Sequence, residues 1–302
     1  MTSLHRYYHE RIYLTADRWH RTIGRNVRRY CFLLVPPAFA LDQRALYEDA
    51  LRASRSGDFV EALSLWNRYL DQAPRDAAAL SNRGNVRLAL GDVDGAIVDQ
   101  TLSIDAAPEE SDPHLNRGTA EEAQQNWTAA ADDYLWILER EPEDASALYN
   151  LGNVRGSEGD WCAARRLYGQ AALARPGFAM ARSSEALAAW QEGDLIWAEA
   201  ELRKLIRRYP LFADARAALS GLLWRQGSSG EAESNWAAAA GLDQRYRQAD
   251  WLLDVRRWPP EPTQKEHQRP TSQRPTPMIY QPTFSLRFSL YHVKKTIFII
   301  IA

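Results

Sequence analysis

The chain has 302 residues, 45% of them hydrophobic and 25% charged, and its two cysteines cannot supply the framework of a disulfide-held scaffold. The formal net charge of −2 conceals three regions: residues 1–40 carry seven arginines against two acids, 41–258 carry 24 basic against 35 acidic side chains, and 259–302 carry six against two. The acidic middle argues against a nucleic-acid partner, whose phosphates it would repel.

Residues 1–40 read as a targeting segment. The stretch up to Asn26 is rich in arginine, hydroxyl and aromatic residues. Arg28 and Arg29 then precede a short apolar run, and Ala38 and Ala40 frame a small-x-small cleavage site. The run is too short to span a bilayer but suits a signal h-region. The long polar stretch ahead of it fits a bipartite plastid signal, a stromal part followed by a lumen-targeting part with a twin arginine. The other reading is a disordered or helical N-terminal cap on the rest of the chain.

From residue 43 the chain repeats with a period of 34, giving units 43–76, 77–110, 111–144, 145–178, 179–212 and 213–246. One column holds only alanine: Ala62, Ala96, Ala130, Ala164, Ala198 and Ala232. A turn column reads Gly57-Asp58, Gly91-Asp92, Gln125-Asn126, Gly159-Asp160, Gly193-Asp194 and Gly227-Ser228. Five units close on proline: Pro74, Pro108, Pro142, Pro176 and Pro210. Glycine supplies the positive φ that ends one helix, Asp, Asn or Ser caps the next, and proline falls where the second helix must stop. Each unit is therefore helix, tight turn, helix, stop. A small-residue column, Ala50, Gly84, Gly118, Gly152, Ala186 and Ser220, lets the two helices approach closely. Trp66, Tyr134, Tyr168 and Trp236 are positioned to fill the space between hairpins.

Small residue, Gly-Asp turn, alanine, aromatic and proline on a 34-residue frame resemble the tetratricopeptide repeat (TPR). The resemblance implies an all-α fold, a right-handed TPR superhelix (α-solenoid) of six helical hairpins plus a C-terminal capping helix, over residues 41–258. Two departures are plain. The early tryptophan of the family is Leu46, Leu80, His114, Leu148, Arg182 and Arg216 here, and the leucine before the glycine is Arg83 in unit two and Arg117 in unit three. Thinner contacts between helices are expected there.

The capping helix is expected in DWLLDVRRW, with Trp251, Leu252, Val255 and Trp258 facing the array. This end, with LFADARAALSGLLW before it, resembles a TPR family of cyanobacteria and of the chloroplast thylakoid lumen, which implies a lumenal location. Residues 259–302 are dominated by proline, Gln, Ser and Thr and read as a disordered or artefactual tail. The closing IFIIIA is too short for a membrane helix.

Motifs for chemistry are sparse. His114 has no second histidine or cysteine at ligand spacing, so no metal is expected. Cys162 reads as a small buried hydrophobe. In GDVDGAIVD, Asp92 and Asp94 are turn and cap residues rather than calcium ligands. In LRKLIRR, Arg203 and Lys204 lie within helical pairing reach of Glu199 and Glu201. No phosphate loop, nucleophile elbow or cofactor motif occurs.

The remaining candidate is the face of the first helices, which in TPR arrays holds peptides. Asn82, Asn116 and Asn150 recur in one column, with Asn85 and Asn153 three residues on, on the same helix face. Their amides suit the backbone of an extended peptide, or they bond neighbouring helices instead. The lysine-and-arginine clamp of cytosolic chaperone adaptors is missing. The expectation is a non-catalytic scaffold for a protein or peptide partner, without cofactor, that assists photosynthetic complexes in the thylakoid lumen. The alternatives are the substrate-reading part of a larger transferase, or a periplasmic or secreted adaptor.

Overall fold

Wherever the 34-residue frame places its turn column, the backbone turns left-handed. Gly57, Gly91, Gly159, Gly193 and Gly227 have φ between +80° and +91°, and Gln125 adopts +61° in the same place. The residue after each turn starts a helix. Asp58, Asp92 and Asp160 accept from the backbone N–H three residues on, at 3.1, 3.0 and 2.9 Å. These are helix N-caps, and they absorb donors that the first turn leaves unpaired.

The structure is a computed structural model that describes residues 37–260 and 262. Among these it holds twelve α-helices: α1 (Pro37–Ser56), α2 (Phe59–Gln72), α3 (Ala77–Leu90), α4 (Val93–Ala106), α5 (Ser111–Ala123), α6 (Trp127–Arg140), α7 (Ala145–Ser157), α8 (Trp161–Ala174), α9 (Ala179–Gln191), α10 (Leu195–Arg208), α11 (Ala213–Arg225) and α12 (Ser229–Leu242). Odd helices are the first and even helices the second of each hairpin. Residues 1–36, which hold most of the expected targeting segment, and residues 261 and 263–302 of the tail lie outside the described residues. Helix α1 already begins at Pro37, so Ala38 and Ala40 stand in its first turn.

Two compact units divide the chain between Asp133 and Tyr134, inside α6. In the first, α1 packs on α2, α2 on α3, α3 on α4 and α4 on α5. In the second, the same consecutive packing runs from α7 to α12.

The repeat columns form the core of each hairpin. All six column alanines are at most 1% exposed, and Ala50, Ala186 and Ser220 in the facing column are fully buried. A Cβ on Gly84 would lie 2.7 Å from Gln100 Nε2 and 3.2 Å from the Ala96 carbonyl oxygen. One on Gly152 would lie 2.7 Å from the Tyr168 ring. Glycine inside a helix costs roughly 1 kcal/mol relative to alanine, and here it admits the side chain that fills the hairpin. Ser220 solves the same contact differently, its Oγ donating to the Ala232 carbonyl at 2.8 Å.

The two arginines in the leucine column do not thin the contact, contrary to expectation. Arg83 grips Asp99 through Nε (2.8 Å) and Nη2 (2.7 Å), and Arg117 grips Asp133 the same way (2.9 and 2.8 Å). Each arginine's Nη1 also reaches one hairpin back, to Asn67 Oδ1 and Thr101 Oγ1 respectively. A bidentate pair of this geometry fills the place of two leucines. His114 Nδ1 joins Asp133 at 2.7 Å.

Two further expectations are corrected. Cys162 is exposed rather than buried, because it is the second residue of α8 and points away from the Ala164–Tyr168 side. The chain after α12 does not form one amphipathic α-helix. It makes a 3-10 turn (Gln244–Arg247), a π-helical turn (Trp251–Val255) and an irregular stretch to Trp258. Trp251, Leu252 and Trp258 are buried as the amphipathic pattern requires, while Val255 is half-buried.

Candidate functional site

The five asparagines are all half-buried on the first helices. Asn82 hydrogen-bonds the Tyr47 hydroxyl, and Asn116 Nδ2 donates to Ser81 Oγ at 3.1 Å. Both contacts run 35 residues back, to the first helix of the preceding hairpin, so this column ties neighbouring first helices together. Asn85 Oδ1 accepts from Gln100 Nε2 (3.0 Å) and Asn153 Oδ1 from the Tyr168 hydroxyl (3.0 Å), both inside one hairpin. Asn150 has no side-chain partner among the described residues. By sequence register, the equivalent of Tyr47 and Ser81 one hairpin before it is Leu115, which has no polar side-chain atom.

His114 sits against Asp133, and Asp92 caps α4 while Asp94 accepts from Gln124 Nε2 at 2.6 Å. Arg203 and Lys204 pair with Glu199 and Glu201, and Arg203 also with Glu231 on α12. Among the described residues there is no cluster of metal-ligating side chains, and no helix is long and apolar enough to cross a membrane.

In the second unit a different residue dominates the first-helix face. Asp214, at the start of α11, is fully buried. Its Oδ2 accepts from Ser183 Oγ of α9 at 2.6 Å. Its Oδ1 accepts from the Tyr246 hydroxyl (2.9 Å), Arg256 Nε (2.9 Å) and Trp258 Nε1 (3.1 Å). Arg256 Nη2 stands 2.7 Å from Oδ2 as an ion-pair contact without an aligned hydrogen bond. Burial alone would raise the Asp214 pKa, but the Arg256 charge and the convergent donors outweigh it and hold the carboxyl below its usual range. Arg257 continues along the same face, its Nη1 3.4 Å from Ser157 Oγ at the end of α7.

Asp133 in the first unit follows the same logic. Burial pushes its pKa up, and the hydrogen bonds from Arg117 and His114 pull it below the ordinary carboxylate value. Sequence reasoning missed both carboxylates. The Arg-Asp pairs were findable, since Arg83 with Asp99 recurs as Arg117 with Asp133 at the repeat period. Asp214 carried one weak signal, a lone acid in the alanine- and leucine-rich stretch ADARAALSGLL.

A tetratricopeptide-repeat family model matches residues 47–111 and 115–155. Among solved structures, the chain is similar to a tetratricopeptide repeat protein from Parabacteroides merdae. The two are 16% identical with a TM-score of 0.56, over 85% of this chain and 98% of that one. A thermophilic TPR protein from Thermus thermophilus is 20% identical with a TM-score of 0.50, over 60% and 99%. MamA from Desulfovibrio magneticus, from residue 41 on, is 17% identical with a TM-score of 0.50, over 55% and 93%. At such identities the likeness speaks for the fold alone. No curated protein matches the chain in sequence.

Proposed function

We propose that this chain, which carries tetratricopeptide repeats, is a non-catalytic scaffold that holds a peptide or protein partner on the first-helix face of its hairpins. One observation carries the reading. Ser157 of α7, Ser183 of α9 and Asp214 of α11 form a polar face on which a non-helical length of polypeptide already rests through side-chain contacts. A surface that takes one such segment has the chemistry to take another. The half-buried Asn150 amide, without an internal partner, adds an unused donor and acceptor on α7. The acidic balance of residues 41–258 favours a protein partner over nucleic acid. The resemblance of the C-terminal end to lumenal TPR proteins supports the thylakoid lumen as its place of work, in the assembly or upkeep of photosynthetic complexes.

The test uses the full chain as bait in lumen extract, followed by titration of the captured partner. Asn150→Ala should weaken that partner by about two- to tenfold, the worth of one neutral hydrogen bond, with an unchanged melting midpoint. A partner whose affinity is indifferent to substitutions at Ser146, Asn150 and Asn153 would refute the first-helix face as the binding surface. Import of the precursor into isolated plastids tests location separately, and an exclusively stromal product would defeat it.

A further inference from the structure

We propose that the first-helix face of α7, α9 and α11 is a peptide site occupied in cis by Arg256–Trp258. In trans it would take a peptide that presents arginine and, two residues on, tryptophan, with Asp214 as the selecting residue. The inference rests on the scaffold reading and names the chemistry of its partner.

A cap for the last hairpin has only to cover α11 and α12. The 3-10 turn holding Tyr246 packs on α12, and Tyr246, Trp251 and Leu252 are buried at 5%, 5% and 0% exposure. The next residues go further. Arg256 and Trp258 converge on one oxygen of Asp214, Asp214 is bonded to Ser183 of α9, and Arg257 reaches Ser157 of α7, two hairpins upstream. The contacts are also selective. Asp214 Oδ1 receives Arg256 Nε beside Trp258 Nε1, so the anchor is a planar guanidinium lying next to an indole. A lysine has no Nε–H at that point and cannot take its place. The N–H groups of Arg256 and Trp258 donate to the Trp251 and Leu252 carbonyls at 2.9 and 2.8 Å, so the contacts of this stretch with Asp214 are made by side chains alone.

The same residues are held under strain. Arg257 sits at φ +54°, a left-handed conformation that disfavours a side chain, between the two residues anchored on Asp214. Arg256 Nη2 has no aligned acceptor, and the buried Trp251 Nε1 has none either among the described residues. An unconnected peptide is free of the Trp251 tether, and a glycine between its arginine and tryptophan would adopt the left-handed conformation without strain.

The probe is a fluorescent peptide of sequence DVRRWPPEP, titrated by anisotropy against the full chain and against the Arg256→Ala/Trp258→Ala variant. Releasing the cis segment should raise peptide affinity at least about tenfold, because the wild-type site is open only a fraction of the time. Adding Asp214→Asn to the double variant should lower that affinity by on the order of thirtyfold. Replacing both arginines of the peptide by lysine should abolish the gain. A folded double variant that binds no better than wild type, or binding that survives Asp214→Asn, overturns the proposal. Should the double variant not fold, hydrogen exchange on the wild-type chain decides. Amides of residues 253–258 must then lose protection when millimolar peptide is added, while those of α11 and α12 keep theirs, and retained protection overturns the proposal. A captured partner that binds wild type and double variant equally, and is not displaced by the peptide, would remove this site and leave the scaffold function standing.

Discussion

Removing Asp133 tests how the first unit accommodates charge in its core. Its carboxylate is 95% buried as a side chain, takes two hydrogen bonds from Arg117 and contacts His114 Nδ1. Asp133→Ala leaves the guanidinium and the ring nitrogen facing a cavity with no acceptor. Breaking a buried pair in this way costs about 3–5 kcal/mol. The lower end applies here, since Arg117 keeps 25% of its side chain in water. Unit four shows the alternative: Leu148, Leu151 and Leu167 occupy the columns of His114, Arg117 and Asp133, all three buried. The triple variant His114→Leu/Arg117→Leu/Asp133→Leu should therefore recover most of the loss, to within about 1–2 kcal/mol of wild type, because a buried ion pair and a well-packed apolar replacement are nearly equivalent. Urea denaturation followed by far-UV circular dichroism measures both variants. A cost below about 1 kcal/mol for Asp133→Ala, or a triple variant as unstable as the single one, would refute the reasoning.

Gly152→Ala should destabilise by about 1–3 kcal/mol, since its Cβ would lie 2.7 Å from the rigid Tyr168 ring; a neutral result in thermal melting would mean the ring can yield. Gln125→Gly should stabilise by about 0.5–1 kcal/mol by relieving a φ of +61° at the turn, read as a higher urea midpoint. Asn116→Ala should lower the melting midpoint through loss of the bond to Ser81, at about 1 kcal/mol, whereas Asn150→Ala should not. Asp133 and Asp214 both have folded pKa values below the unfolded one. Their contribution is thus complete above about pH 5, one unit over the unfolded carboxylate value, and is lost as pH falls through the depressed values. The melting midpoint should hold from pH 7 to about 5 and then drop, and the drop should be shallower in Asp214→Asn.

The hairpins were legible in the chain because their determinants are local and recur. A glycine that turns left, an Asp that caps three residues on, and a proline after the second helix each act within a few residues of themselves. The 34-residue period repeats the same signal six times. The alanine and small-residue columns followed from that frame, and their burial agrees. What the frame could not carry is the choice of partner across hairpins. Arg83 and Arg117 break the family pattern when read singly. Only with the hairpin closed does each meet an aspartate on the second helix, and the charge becomes an asset of the core. The asparagines look like a ladder for a guest peptide. The tertiary structure adds that Asn82 bonds Tyr47 and Asn116 bonds Ser81, while Asn150 has no side-chain partner among the described residues. The end of the chain shows the limit most clearly. Amphipathic spacing identifies Trp251, Leu252 and Trp258 as buried, since apolar burial needs no particular partner. Whether that segment runs as a helix was decided by Asp214. This one buried carboxylate needs donors from Ser183, Tyr246, Arg256 and Trp258 at once, and only an irregular backbone brings the last three to the same oxygen.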